Sequence, residues 1–224
     1  TPVEAVGSPI PAILPSAASG TLRYARAGLV DWRVGLVCGA AGAARAVLGA
    51  LVADVVDAHY LMLVTAALLG WSGVSLVRDA TAPPAVAADE PPTTGAAAPG
   101  TGLLAAVGAA AGFVAGLLGV GGGIVMMPVF TKGLRLPIKV AVASSLVAVA
   151  IFSIPALVAH TLLGHINWTY ALLLVAGVIP GAQLGARVTV GSSERTVRRL
   201  AGGFFVAMAV LYGGGELVSL VSGR

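Results

Sequence analysis

The 224-residue chain is 58% hydrophobic and only 10% charged, with a mean hydropathy of +0.97 and a formal net charge of +4. Soluble domains carry about 25% charged residues, so this composition excludes a soluble globular domain and predicts an all-α, polytopic integral membrane protein. The basic residues lie mainly at the ends of apolar runs, which indicates membrane topology and not nucleic-acid binding. The chain has one cysteine, and its three histidines lack the spacing of metal ligands, so we predict no disulfide, metal site or cofactor.

Three apolar runs make up the first half of the chain, which we define as residues 1–79. We expect membrane spans at about 3–22, 32–56 and 59–77. Several prolines stand at the start of the first run. They predict a kinked or partly unwound helix there, because proline has no amide hydrogen to donate.

Arg45 is the exceptional charge of the second run, because it falls near the middle of the span. A charge at that depth is costly and usually faces the protein interior or a wet cavity. Arg45 could bind an anion through two parallel hydrogen bonds, or it could pair with Asp54 or Asp57. We include it among the candidate substrate-binding residues.

The stretch 80–100 is rich in Pro, Ala, Thr and Gly, which predicts a flexible, solvent-exposed linker between the two halves. The second half, residues 101–224, contains four long apolar runs. We expect its spans at about 102–120, 140–159, 168–188 and 200–221. The prediction for the whole chain is therefore about seven membrane-spanning helices.

Two of these spans begin with the same kind of residue pair, Asp31-Trp32 and Asn167-Trp168. Asp and Asn are favourable N-cap residues, and Trp favours the membrane interface. We therefore assign these four residues a structural role at helix starts near the membrane surface.

A glycine-dense segment interrupts the apolar sequence between the first two spans of the second half. It is marked by Gly116, Gly119, Gly121, Gly122, Gly123 and Pro128. Glycine tolerates positive φ, and proline tends to start a new helix. Non-helical backbone at membrane depth must be buried in protein or line a wet cavity. We predict a discontinuous helix whose amides at Gly121–Gly123 face an anion, with tight packing of small residues as the alternative.

Several polar side chains are further candidates for the site. Ser144 and Ser145 lie inside the next apolar run, and Ser8 is the counterpart of Ser144 in the first half. Their hydroxyls could donate to an anion, or they could bond to a backbone carbonyl or a neighbouring helix. His160 ends the same run and is a candidate for proton coupling, because imidazole titrates near neutral pH; anchoring at the interface is the alternative. We expect His165, in the following short loop, to be solvated.

The two halves are related in sequence, because three segments recur at an offset of 136 positions, the distance from Ser8 to Ser144. The matching pairs are 5–8 with 141–144, 28–32 with 164–168, and 48–52 with 184–188. Internal repeats with a site between them are typical of secondary transporters. The second half has a helix and a glycine break before this common register, so we expect that the corresponding N-terminal helix of the first half is missing.

Three motifs of the second half are distinctive when taken together. They are Gly119-x-Gly121-Gly122-Gly123 followed by Pro128, Pro137-x-Lys139-x-Ala141-x-Ala143-Ser144-Ser145-Leu146, and Gly164-x-Ile166-Asn167-Trp168. They resemble the TauE/SafE family of sulfite-exporter-like membrane proteins, and the resemblance covers almost the whole chain except the linker. It implies an α-helical permease of the bacterial plasma membrane that moves a small anion such as sulfite, a sulfonate or a related organosulfur or organic anion.

The function predicted from these features is secondary transport of a small anion, without catalysis. The alternatives are a membrane subunit that works with a separate partner, and an intramembrane hydrolase that uses Ser144 or Ser145 with His160. About 24 Å separates Ser144 from His160 along one helix, which disfavours the hydrolase. The expected partners are the anion and the lipid bilayer, and a homo-oligomer is left open.

Overall fold

The computed structural model describes residues 7–81, 100–119 and 121–222. These residues form helices and no strand, which confirms the all-α prediction. The helices are α1 (Ile10–Arg26), α2 (Trp32–Ala53), α3 (Ala58–Thr81), α4 (Thr101–Leu118), α5 (Gly123–Pro128), a π-helical turn (Val129–Gly133), α6 (Ile138–Leu162), α7 (Trp168–Gly191) and α8 (Glu194–Ser222).

Five of the described helices are long and apolar enough to cross a bilayer, namely α2, α3, α4, α6 and α7. Together with the composition, they make the chain a multi-pass membrane protein. The predicted count of about seven spans also includes α1 and α8. Helix α1 has only 17 residues, fewer than the roughly 20 that a span requires, and α8 begins with a polar turn. The count of seven therefore stays a prediction.

Helix α1 ends later than the sequence predicts. Pro9 precedes its first turn and Pro15 lies inside it, and the helix continues to Arg26. Arg23 and Arg26 occupy its last turn, where positive charges interact favourably with the helix dipole. The polar connection to α2 is correspondingly shorter than predicted. The predicted start of this span, residues 3–6, lies outside the described residues.

Only the ends of the predicted linker, residues 80–100, lie among the described residues. Helix α3 runs on to Thr81, whose hydroxyl donates to the Arg78 carbonyl at 2.9 Å. The first two residues of the predicted linker therefore belong to a helix. Gly100 precedes α4 as its N-cap.

Helices α2 and α4 pack with their backbones in close approach. A Cβ atom on Gly42 would lie 2.7 Å from the carbonyl oxygen of Gly108. One on Gly112 would overlap the backbone of Gly42, and one on Gly116 would overlap the carbonyl of Ala46. Small residues permit such contacts between membrane helices. The packing fixes the position of α4, and with it the point where the glycine segment begins.

Two long-range hydrogen bonds join the halves at equivalent positions. The amide of Asp31 donates to Ser144 Oγ at 2.9 Å, and the amide of Asn167 donates to Ser8 Oγ at 3.0 Å. The side chains of Asp31 and Asn167 also cap α2 and α7. Both donors and both acceptors are 136 positions apart. The contacts have the symmetry that the predicted sequence repeat would require.

Exposed tryptophans stand at the same two helix starts. Trp32 is the first residue of α2 and is 51% exposed, and Trp168 is the first residue of α7 and is 53% exposed. A half-exposed indole at the end of a membrane helix suits the boundary between lipid and water.

Ion pairs hold the π-helical turn at one end of the bundle. Asp79 of α3 lies 3.4 Å from Lys132 in this turn and 3.8 Å from Arg198 of α8. Arg198 also lies 4.0 Å from Glu194, one helical turn earlier. Pairs at an exposed surface contribute about 0–1 kcal/mol each, so they position the turn without dominating its stability.

Candidate functional site

The chain leaves the helical conformation between α4 and α5, at the place that the sequence predicts. Gly119, Gly121 and Gly122 have left-handed backbone, with φ values of +67°, +80° and +57°. Glycine adopts this region readily, whereas a residue with a Cβ atom is strained there. Gly119 ends α4 and Gly122 is the N-cap of α5. The backbone itself therefore requires these glycines, beyond any need for close packing.

Pro128 is the last residue of the short helix α5 and the N-cap of the π-helical turn that follows. Because proline has no amide hydrogen, it cannot donate to the carbonyl four residues earlier, which belongs to Ile124. The buried hydroxyl of Ser72 in α3 donates to that carbonyl at 3.0 Å. This hydrogen bond attaches α5 to α3 at the level where the regular helical bond is missing.

The three central glycines differ in the space around them. A Cβ atom on Gly122 would lie 2.6 Å from the carbonyl oxygen of Ala111 and 2.8 Å from Phe152 Cζ. The nearest atoms would be 3.6 Å from a Cβ on Gly121 and 3.9 Å from one on Gly123. A side chain at Gly122 thus meets both strain and overlap, one at Gly121 meets strain alone, and one at Gly123 meets neither.

The amides of the glycine break are only partly used. The amide of Gly123 donates to the Gly121 carbonyl at 2.6 Å, so this predicted anion donor is occupied. Within the described part of the chain, the amides of Gly121 and Gly122 donate to no backbone carbonyl. Buried amides normally find a partner. These two groups are the donors that the break can offer to a ligand or to water.

A cavity of about 650 Å³ lies beside the break. The break contributes Gly121 and Gly123 to its wall, and α6 contributes Ser145. Ser16, Thr189 and Tyr212 add further polar side chains, and among the described residues no charged side chain lines the wall. Ligand sites commonly enclose about 300–1,000 Å³. The cavity can therefore hold a small solute between largely apolar walls.

The three candidate serines have different surroundings. Ser145 alone reaches the cavity, and its hydroxyl donates to the Val142 carbonyl at 2.9 Å. The fully buried Ser144 and the buried Ser8 accept hydrogen bonds from backbone amides of the opposite half. Ser8 and Ser144 therefore join helices and lie outside the wall of the cavity.

Arg45 lies away from the candidate site. Its side chain is exposed on the outer face of α2, and no residue of α2 lines the cavity. Eight residues, or about 12 Å of helix, separate Arg45 from the last residue of α2, so its long side chain can extend toward the membrane surface. Asp54, a predicted partner of Arg45, bonds to a histidine instead. We omit Arg45 from the proposed anion site.

His160 belongs to a hydrogen-bonded array that the sequence did not predict. Its Nε2 lies 3.0 Å from the Gly116 carbonyl oxygen, and its Nδ1 lies 3.1 Å from Nδ1 of His165. Nε2 of His165 lies 2.9 Å from Oδ1 of Asp54. His160 is 0% and His165 only 6% exposed, so the expectation of a solvated His165 is wrong. The backbone of His165 packs against Gly7, where a Cβ atom would overlap its carbonyl.

The residues of the alternative hydrolase are not assembled into a catalytic pair. The imidazole of His160 is engaged by Gly116 and His165. The hydroxyls of Ser144 and Ser145 are engaged by a backbone amide and a backbone carbonyl. Nucleophilic catalysis requires a serine hydroxyl within hydrogen-bond reach of its base.

The family model for the sulfite exporter TauE/SafE matches residues 1–212 of the chain. The "probable membrane transporter protein YunE" of Bacillus subtilis (strain 168) is 29% identical over 208 residues, which cover 88% of this chain and 76% of the relative. A "probable membrane transporter protein" of Xylella fastidiosa (strain 9a5c) is 28% identical over 213 residues, which cover 93% of this chain and 79% of the relative. No solved structure matches the chain.

Proposed function

This chain belongs to the TauE/SafE family and is a membrane transporter, not an enzyme, and we propose that its substrate is a small anion such as sulfite or a sulfonate. Related organosulfur and organic anions of similar size belong to the same class. We place the protein in the bacterial plasma membrane, as a secondary transporter. The described residues of the cavity wall include no charged side chain. This suits transport, because an anion held by dipoles alone can also leave.

One observation carries this proposal: the glycine break lines a cavity inside a helical membrane protein. Gly121 contributes to the wall, and its amide and that of Gly122 have no backbone acceptor among the described residues. Consecutive amides in left-handed or turn conformations form a concave site for anions. In a site of low dielectric constant, two such donors bind an oxyanion more strongly than they would in water.

The path of the anion follows from the arrangement of the two halves. The cavity lies between α1 of the first half and α6, α7 and α8 of the second. Secondary transporters commonly bind their substrate between two halves and move one half against the other. In this proposal, the amides of the break hold the anion together with Ser145, whose hydroxyl turns from the Val142 carbonyl to the anion. Access meanwhile changes from one side of the membrane to the other.

Ser145 and Ser144 offer a matched test of the site. Ser145→Ala removes a hydroxyl from the cavity wall, so we expect the KM for anion flux to rise by about ten- to a hundredfold, as for one hydrogen bond to a charged group. Ser144→Ala leaves the partly buried Asp31 amide without its acceptor, which costs about 1 kcal/mol of stability and leaves KM unchanged. Flux in proteoliposomes and thermal unfolding in detergent measure the two effects. Equal KM values for the two variants would remove Ser145 from the site.

The proposed substrate class is tested with the purified protein in proteoliposomes. Flux of sulfite, thiosulfate, sulfoacetate and taurine is compared with flux of chloride and of a neutral sugar of similar size. We expect saturable flux of at least one sulfur-containing anion and none of the sugar. Absence of flux for all four sulfur compounds, in protein that is folded and inserted, would contradict the proposed substrate class.

A further inference from the structure

The array of His160, His165 and Asp54 contains three hydrogen bonds in a row. They run from the half-exposed carboxylate of Asp54, through His165 and the fully buried His160, to the Gly116 carbonyl. Each of the three contacts needs one proton between its two heavy atoms. The Gly116 carbonyl can only accept, so the proton of that contact must be on Nε2 of His160.

Counting protons shows what this arrangement requires. Two neutral imidazoles carry two N–H groups, but the array contains three contacts. The third proton is on His160 or His165, as an imidazolium, with Asp54 a carboxylate, or on Asp54, as a carboxylic acid that donates to Nε2 of His165. In each form the array holds three protons and has no net charge. The geometry is therefore that of a proton-loaded site.

Removal of one proton breaks one contact of His160. A hydrogen bond to a carboxylate is about twice as strong as a neutral one, so His165 keeps the proton that it shares with Asp54. Its Nδ1 is then an acceptor, and His160 has a single proton for its two contacts. Either the contact with Gly116 or the contact with His165 is lost, and in both cases the row of hydrogen bonds from Asp54 to Gly116 is interrupted.

Gly116 connects this array to the glycine break. It lies in the last turn of α4, three residues before Gly119 begins the left-handed backbone. Carbonyls in the last turn of a helix lack regular helical partners, and His160 supplies one here. The array is distinct from the cavity, because Val149, a cavity residue of α6, lies about 16 Å from His160 along the helix.

We propose that His160, His165 and Asp54 form a proton-binding site that couples anion movement to a proton gradient through the Gly116 carbonyl. The inference rests on the proposed anion transport. One proton from water enters at Asp54, whose side chain is 49% exposed, and the charge of the array changes from −1 to zero. Loading completes the row of hydrogen bonds from Asp54 to the end of α4, and unloading interrupts it. The break, and with it the cavity, responds to the protonation state of the array.

The groups that form and face this site come from four parts of the chain. Asp54 follows α2, His160 ends α6, and His165 lies in the loop before α7. From α4 the facing group is the carbonyl of Gly116. Asp57 belongs to the same loop as Asp54 and serves as the matched control for a change of charge there.

The substitution Asp54→Asn imitates the loaded state. The asparagine amide donates to Nε2 of His165, Nδ1 of His165 donates to His160, and Nε2 of His160 donates to Gly116. All three contacts are then satisfied while both imidazoles are neutral, so filling them takes up no proton. We expect this variant to exchange thiosulfate as fast as wild type at equal pH, while accumulation driven by a pH gradient falls about tenfold or more. The control Asp57→Asn keeps both activities.

A measurement without transport separates the two proposals. Nitrogen-15 NMR of labelled histidine is tractable because the chain has three histidines. In wild type we expect two histidines to change their ring protonation together in one pH step, and in Asp54→Asn we expect that step to disappear. Accumulation that persists in Asp54→Asn, or an unchanged NMR step, would overturn the proton site. Wild-type protein that shows the NMR step but exchanges no anion at equal pH would overturn the transport proposal instead.

Discussion

Replacing Gly122 by valine is expected to abolish anion flux while the protein still inserts in the membrane. The φ of +57° at this position is unfavourable for a residue with a Cβ atom, and that atom would meet the Ala111 carbonyl and Phe152. Backbone strain of this kind costs about 1–3 kcal/mol, and the overlap adds to it. The break must therefore move, and its amides leave the cavity wall. Thiosulfate or sulfite flux in proteoliposomes measures the loss.

Alanine substitutions at the three central glycines should affect anion flux to different extents. Gly123→Ala has space and helical backbone and should keep flux, Gly121→Ala adds strain alone and should reduce it, and Gly122→Ala should reduce it most. The control Gly177→Val places the same side chain on α7, where nothing lies within 4 Å of a Cβ atom. Normal flux in Gly122→Val would show that the glycine break has no role in transport. Equal flux in all three alanine variants would contradict a role for the left-handed backbone.

Replacing Gly112 by valine is expected to prevent most of the protein from folding. Its Cβ atom would overlap the backbone of Gly42, where no side chain can rotate away. Overpacking of a well-filled core typically costs about 1–3 kcal/mol, and overlap with backbone on both helices lies at or above the upper end of that range. Helices α2 and α4 would have to separate along their length. Thermal unfolding and size-exclusion chromatography in detergent measure the effect.

The matched control for this variant lies on the same helix. A Cβ atom on Gly102, near the start of α4, meets nothing within 4 Å, so Gly102→Val should keep the stability of wild type or raise it slightly, because valine favours a helix a little more than glycine does. A Gly112→Val protein with the thermal stability of Gly102→Val would show that α2 and α4 do not pack as described.

Local chemistry made the glycine break predictable. A run of glycines within an apolar sequence indicates positive φ and close backbone approach. Positive φ occurs at Gly119, Gly121 and Gly122, and close backbone approach occurs at Gly122. The N-caps at Asp31 and Asn167 were equally accessible to sequence reasoning, because a cap bonds to amides two or three residues away. Properties that depend on neighbours along the chain can be inferred from the sequence.

Partners that are remote in the chain could not be inferred in the same way. Ser8 and Ser144 looked like donors to a ligand, because an isolated hydroxyl in an apolar run carries no sign of its acceptor or donor. Their partners lie 159 and 113 residues away. The match between the halves did pair Ser8 with Ser144, and Asp31 with Asn167. It did not indicate that each serine would meet the cap of the other half.

The proton site illustrates the same limit. His165 follows a glycine in a short loop, a position where most histidines are solvated, and Asp54 follows the end of a helix. Their contact spans 111 residues and depends on Gly7 leaving room for the backbone of His165. His160 could be selected from its place at the end of an apolar run, but its two partners required coordinates.

The most direct test of the account locates a bound anion. Selenite is the selenium analogue of sulfite, and its anomalous X-ray scattering reveals its position in crystals of the protein. The account predicts selenium in the cavity beside Ser145, with an oxygen within about 3.2 Å of the amide nitrogen of Gly121 or Gly122. Selenite bound elsewhere in the bundle, at a site that includes neither of these amides, would contradict the account.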